Sequence, residues 1–147
     1  MNALTLLKDD HKRVKKMLDD IDSTTERAEK TRTEGLAKLK AELTIHETIE
    51  EEIFYPALKE HAVAKDIVLE AFEEHDVVDA IMREIEQTPV DDETWGAKFT
   101  VMKENLEHHI EEEEGEMFEK ARQVFDEETL RSLGERMQAR KEQATAA

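Results

Sequence analysis

The sequence predicts an all-α protein: an up-down-up-down four-helix bundle with a short C-terminal fifth helix. Three observations predict it. Only 4 Gly and 2 Pro occur in 147 residues, which leaves little turn chemistry for a sheet. Charged residues make up 40% of the chain, as expected for long solvated helix faces. Apolar residues recur at steps of three and four along four long stretches joined by short connections, and helices joined in that way pack antiparallel. Residues 1–126 are assigned to the bundle and 127–147 to the short C-terminal helix and its tail.

The first helix starts at Asn2 or Ala3 and runs into the twenties, with Leu4, Leu7, His11, Val14, Leu18 and Ile21 on one face. Polar residues from Ser23 onward blur its end, and the turn is expected near residues 27–33. The second helix carries Leu36, Leu39, Leu43, His46, Glu50, Ile53 and Ala57 to about Glu60. Pro56 lies inside it with no N–H to donate, so a bend or loosening is expected near Tyr55. The third helix, Asp66 to about Gln87, turns Val68, Ala71, Phe72, His75, Val78, Asp79, Met82 and Ile85 inward. Thr88-Pro89-Val90 breaks the pattern, and Asp91 or Asp92 is the expected N-cap of the fourth helix. That helix directs Phe99, Met102, Leu106, His109, Glu113 and Met117 inward and ends near Arg122–Phe125. Asp126 to Arg140 reads as the fifth helix, with Leu130, Leu133 and Met137 covering one end, followed by a frayed tail from Lys141 to Ala147. No internal repeat is apparent.

A formal charge of −17 disfavours nucleic acid and anionic membrane surfaces as partners. With no cysteine there is no disulfide, thiolate nucleophile, iron–sulfur cluster or cysteine-based zinc site. No basic-plus-apolar leader and no membrane-length apolar run is present, so a cytoplasmic location is expected.

The chemistry lies in the histidines. Each of the four main helices has one on its apolar stripe: His11, His46, His75 and His109. In an antiparallel bundle their distances from the helix ends bring them to one level. Together with Glu50 and Glu113 they fall within a slab less than about 10 Å thick, at a rise of about 1.5 Å per residue. Carboxylates follow three of them by four residues, as His46/Glu50, His75/Asp79 and His109/Glu113, a spacing that presents both side chains to one ion. His108 projects outward, and His61, without a convergent partner, is expected to be exposed.

Inward imidazoles and carboxylates are costly unless something satisfies them, and a metal is the simplest candidate. Imidazole and carboxylate without sulfur suit iron, and manganese or zinc less well. Two ions about 3–4 Å apart, bridged by Glu50 and Glu113, would neutralise both carboxylates and use every inward histidine. A zinc hydrolase needs only three ligands and an open position, which leaves one histidine unexplained. Ferritin-type sites need an acid three residues before histidine. Here those positions are Lys8, Leu43, Leu58, Phe72, Asn105 and Leu106, none of them acidic.

Asp10-His11, His46-x-x-x-Glu50-Glu-Glu-Ile-Phe-Tyr-Pro56, Glu74-His75 and His109-x-x-x-Glu113-Glu-Gly-Glu-Met-Phe118, in this order, resemble the hemerythrin-like (hemerythrin HHE cation-binding) family over roughly residues 4–125. The resemblance implies a non-heme di-iron centre, oxo- or hydroxo-bridged, with oxygen-related chemistry at an open iron position. The chain departs from the oxygen-carrying hemerythrins at Asp79, where those proteins place a second histidine on the third helix. Asp79 is therefore a further candidate ligand, or a partner that orients His75. Tyr55, the only tyrosine, is another. A regular helical projection puts its hydroxyl in water, while the bend at Pro56 offers a way to turn it inward, where a phenolate would stabilise ferric iron.

The function expected is binding of, or reaction with, O2, peroxide or nitric oxide. Peroxide handling of a catalase-like kind or redox sensing fits better than O2 transport, because one nitrogen ligand is missing. The alternative is an iron-binding sensory or interaction module without turnover, with the fifth helix as its reporting element. The expected partners are a small diatomic or peroxide ligand, and the expected state is a monomer or weak homodimer.

Overall fold

In the computed structural model, residues 1–146 are described and form five long helices with no strand among them. Helix α1 is Ala3–Asp22. Helix α2 is Glu29–Ile49, continued by a π-helical turn, Glu50–Phe54, and a last α turn, Tyr55–Lys59. A single 3₁₀ turn, Ala62–Ala64, leads into α3, Lys65–Glu86. Helix α4 is Trp95–Glu112, continued by a second π turn, Glu113–Met117, and by Phe118–Val124. Helix α5 is Glu127–Ala146.

Cross-helix contacts give the directions. Arg13 meets Glu42 and Thr24 meets Arg32, so α1 and α2 are antiparallel. Lys40 with Glu86, and Thr100 with Asp22, set α3 against α2 and α4 against α1 in the same way. The expected up-down-up-down bundle is present, and α5 adds a fifth rod.

Every residue expected on the inner face of α1 is buried, and Asn2 caps that helix by accepting from the Thr5 N–H at 2.9 Å. The connection to α2 lies earlier than expected, because the helix already resumes at Glu29. Asp92 does not cap α4 itself. Its carboxylate accepts from the Thr94 N–H at 2.8 Å and shapes the turn before Trp95. The fifth helix is longer than expected: α5 is 20 residues long and helical through Ala146, with Leu130, Leu133 and Met137 buried, and of the expected frayed tail only Ala147 lies outside the described residues. Polar contacts described below hold its second half, and an apolar count cannot register them.

The core is two apolar clusters with a polar layer between them. One gathers Leu7, Ile49, Phe54, Val68 and Phe118 and is roofed by Leu130, Leu133 and Met137 of α5. The other gathers Leu18, Leu39, Val78, Ile85, Trp95 and Phe99. At its far end Arg32, only 5% exposed, lies 4.5 Å from the Trp95 ring and donates to Thr24 O, Thr24 Oγ1 and Val90 O. It ties together the connections before α2 and before α4. The four inward histidines sit between the two clusters.

Candidate metal centre

The sequence places a histidine on each inner stripe, and the structure brings all four together. His11, His46, Glu50 and Glu113 each offer a ligand atom within 4.8 Å of the others, and so do Glu50, His75 and His109. Glu50 belongs to both groups. Its Oε1 lies 3.2 Å from the Nε2 of both His46 and His75. Glu113 spans the other way, with Oε1 3.1 Å from His11 Nε2 and Oε2 3.4 Å from His109 Nε2. All six residues are 5% exposed or less.

The outer nitrogen of each ring meets a carboxylate. His11 Nδ1 donates to Glu114 at 2.6 Å and His46 Nδ1 to Asp10 at 2.9 Å. His75 Nδ1 donates to Glu51 at 2.7 Å and His109 Nδ1 to Glu74 at 2.7 Å. A carboxylate can only accept, so the hydrogen sits on Nδ1 and the Nε2 lone pair faces inward. Each outer acid is a sequence neighbour of an inner ligand: Asp10 and Glu74 precede His11 and His75, and Glu51 and Glu114 follow Glu50 and Glu113. The α1–α2 and α3–α4 hairpins therefore present one pattern twice, a repeat of placement that the sequence did not display. Their shared sequence is too sparse, and in so acidic a chain an extra acid gives no contrast.

Inside the ring of histidines, acceptor faces acceptor. His11 Nε2, His46 Nε2, both oxygens of Glu50 and Glu113 Oε1 are buried without a hydrogen-bond partner. Lone pairs so opposed need either protons or metal cations between them. When only protons serve, Glu50's charge and the bond to Asp10 outweigh the opposing effect of burial and push the His46 imidazole up to about 10. Bonds to Glu50 and Glu51 do the same for His75, and bonds to Glu113 and Glu74 for His109, again to about 10 against the opposition of burial. Despite complete burial, Glu113 is held well below the usual carboxylate range by the groups around it. The donor set fits hard or borderline divalent and trivalent cations, iron among them.

Tyr55 lies inside, which corrects the regular helical projection. Its hydroxyl donates to Glu113 Oε2 at 2.5 Å and stands 3.3 and 3.4 Å from the Nε2 atoms of His75 and His109. The cause is the π turn. Tyr55 N–H bonds to Glu50 O, five residues back, so Tyr55 takes the inward place that Phe54 would hold in an α-helix. Pro56, without an N–H, favours that looser turn. The second π turn does the same on α4, where Phe118 N–H bonds to Glu113 O and the Phe118 ring stacks on His11 at 6.3 Å. The two hairpins thus differ at equivalent places, a phenol beside His75 and His109 and a phenyl stacked on His11. Burial first, then Glu113 and Glu50, push the Tyr55 hydroxyl well above its ordinary value, so it keeps its proton unless a cation displaces it.

Asp79 does not join the cluster. It stands beside Glu47 and belongs to none of the groups of converging ligand atoms. Burial, then the neighbouring Asp79, push the Glu47 carboxyl up to about 8. His108 is exposed as expected, whereas His61 is half-buried with its ring against Phe125 at 5.3 Å. On the side of the histidines away from Tyr55 lies a cavity of about 10 Å³, room for about one water-sized molecule. Val14, Leu106 and Ile110 make its walls apolar. Leu43, Glu47 and Val78 line both this cavity and an outer groove between α2 and α3, and so form the partition between site and solvent.

No described helix is long and apolar enough to cross a membrane. Comparison with curated proteins finds no match. The chain is similar, at 31% identity and a TM-score of 0.88, to the crystal structure of a hemerythrin HHE cation binding domain-containing protein from Mycobacterium kansasii, over 99% of this chain and 88% of that one. Residues 2–121 match the family model described as the hemerythrin HHE cation binding domain. Four inward imidazoles, two shared carboxylates and the match over most of the length agree, and the chain belongs to the hemerythrin HHE cation-binding family.

Proposed function

We propose that the protein holds a pair of iron ions and reacts there with a small oxygen-containing ligand, peroxide above all, in the manner of a catalase. The observation that supports this reading is the set of unpartnered atoms on His11, His46, Glu50 and Glu113, opposed across a space that a pair of metal cations would fill and that protons satisfy only in part. His11, His46, Glu50 and Glu113 would hold one ion, and His75, His109, Glu50 and Glu113 the other, with Tyr55 beside the second. When bound, the pair supplies Lewis acidity and reversible redox capacity.

The chain's own residues set the terms of that chemistry. The four Nδ1–carboxylate bonds fix ring orientation and tautomer, and they raise the basicity of the inward nitrogens. Tyr55 adds a hard oxygen donor where Phe118 offers none, which favours the ferric state at one position. A small cavity with apolar walls excludes bulky substrates and suits peroxide, O2 or nitric oxide. The donor that favours ferric iron argues against reversible O2 carriage, which needs easy return to the ferrous pair. A cytoplasmic protein without nucleic-acid or membrane partners, monomeric or weakly dimeric, is consistent with the charge and with this chemistry.

The test is metal analysis and turnover on protein purified from iron-replete cells. Two irons per chain with near-ultraviolet charge-transfer bands, and release of one O2 and two waters from every two peroxides, are the expected result. Protein that takes up no iron overturns the dinuclear reading. Two irons without peroxide loss overturn the catalytic part and leave an iron-binding sensory module, a reading that the contact of α5 with Asp10 favours.

A further inference from the structure

Helix α5 runs parallel to α1 and very close to it. A Cβ at Gly134 would lie 2.7 Å from Asn2 C and 2.8 Å from Ala3 N, against backbone that cannot give way. Only glycine allows that approach. Seven residues along both helices, Lys141 Nζ reaches Asp10 Oδ1, which also receives the Arg13 guanidinium. The other oxygen of Asp10 accepts from His46 Nδ1 at 2.9 Å. Asp10 is 1% exposed, so it is a buried carboxylate shared by the last helix and an inward histidine. One residue earlier on α5, Arg140 makes a two-point bond to Glu52 at 3.0 and 3.2 Å. Glu52 follows Glu51, the acid that holds His75.

We infer that Lys141 is a positioning residue for the metal centre: its ammonium fixes Asp10, Asp10 fixes the His46 ring, and docking of α5 and metal occupancy are therefore one coupled equilibrium. This rests on the dinuclear reading above. Arg13 cannot play the same part, since it lies on α1 three residues from Asp10 and moves with it. Lys141 comes from the far end of the chain, so its bond forms only when α5 is seated. A group that orients a metal-binding histidine typically affects metal affinity about 10–100-fold. Lys141 acts one bond further out and Arg13 remains, so the smaller end of that range applies. Coupling is reciprocal, and a metal that binds more tightly with α5 seated must seat α5 more firmly by the same factor.

The experiment uses the full chain, iron-loaded and iron-free, in four forms: parent, Lys141→Met, Lys141→Arg and Lys40→Met. The last removes a lysine of α2 that pairs with Glu86 of α3, makes no bond to α5 or to the acids that hold the histidines, and serves as a control. Iron loss to a chelator and amide hydrogen exchange along α5 are both measured. Lys141→Met should lose iron roughly 10-fold faster than the parent, with complete loss during purification counting as the same result. Lys141→Arg should restore the rate to within about twofold and Lys40→Met should leave it unchanged. In the parent, removing iron should speed exchange in the second half of α5. Iron loss from Lys141→Met at the parental rate overturns the inference, as does exchange in α5 that is indifferent to iron. Failure of arginine to rescue, or an equal effect in Lys40→Met, assigns the change to general stability and overturns it too. Should Lys141→Met not fold, the exchange comparison on the parent decides. A parent that binds no iron would instead overturn the dinuclear reading itself.

Discussion

Removing the metal is the perturbation with the largest expected effect, and its size follows from the site. Five atoms, on His11, His46, Glu50 and Glu113, are buried there without a partner. At about 1–3 kcal/mol for each unsatisfied group, the deficit is on the order of 5–15 kcal/mol. That equals the whole stability of an ordinary domain, about 5–15 kcal/mol. Protons relieve part of it, because His46, His75 and His109 are raised to about 10 and take up hydrogen at neutral pH. The lower end, about 5 kcal/mol, is therefore expected near pH 7. At about 3 °C per kcal/mol for a domain of this size, the Tm falls by about 15 °C.

The pH dependence has a definite sign. An imidazole whose folded value exceeds its ordinary value of about 6.5 stabilises the fold fully below that pH, and the contribution drains away as pH rises toward 10. Iron-free protein should thus melt at progressively lower temperature from pH 7 to pH 10. The iron-loaded protein, whose inner nitrogens hold metal rather than protons, should not follow that trend. The assay is thermal melting by circular dichroism across this range, with iron counted by plasma mass spectrometry. A Tm within about 3 °C of the loaded protein, or one that rises with pH, would refute the claim that the inward atoms are built around cations.

Three further outcomes are expected. Tyr55→Phe should abolish any visible phenolate-to-iron band and, through the lost bond to Glu113, destabilise the iron-free protein by about 1.5–3 kcal/mol; an unchanged spectrum removes the tyrosine from the ligand set. Arg32→Met loses the bonds to Thr24 and Val90 and the guanidinium over Trp95. Denaturant melts should show a loss of about 2–4 kcal/mol with iron content unchanged, and a loss below about 0.5 kcal/mol would deny the clamp. Val78→Ala thins the partition between cavity and groove, so azide should bind the ferric protein several-fold faster in stopped flow with two irons retained. An unaltered rate places the entry elsewhere.

The four-helix plan and the four histidines were legible because burial follows a period of 3.6 and the histidines keep that period on every helix. Leu4 through Ile21 on α1 needed no tertiary information. Tyr55 was legible only as an alternative, through the bend expected at Pro56, because one extra residue in a π turn rotates everything beyond Glu50, and hydropathy cannot register where the extra residue sits. The outer acids Asp10, Glu51, Glu74 and Glu114 were visible as residues but not as partners, for each acts across to another helix. Asp79 was misplaced by the same simple periodicity that served elsewhere: four residues from His75 set it at the edge of the inner face, within reach of Glu47 rather than of the histidines. The length of α5 was hidden because its last apolar anchor is Met137, and beyond that only Lys141 and Arg140 reach back to the bundle.

Glu50 and Glu113 each open a π turn, so the two shared carboxylates stand at the points where their helices change register. Up to those residues each rod keeps the spacing that aims its histidine inward, and past them the same rod presents a different edge to the apolar cluster under α5. The wider turn thus lets one continuous helix serve two neighbours whose demands on its side chains are out of step.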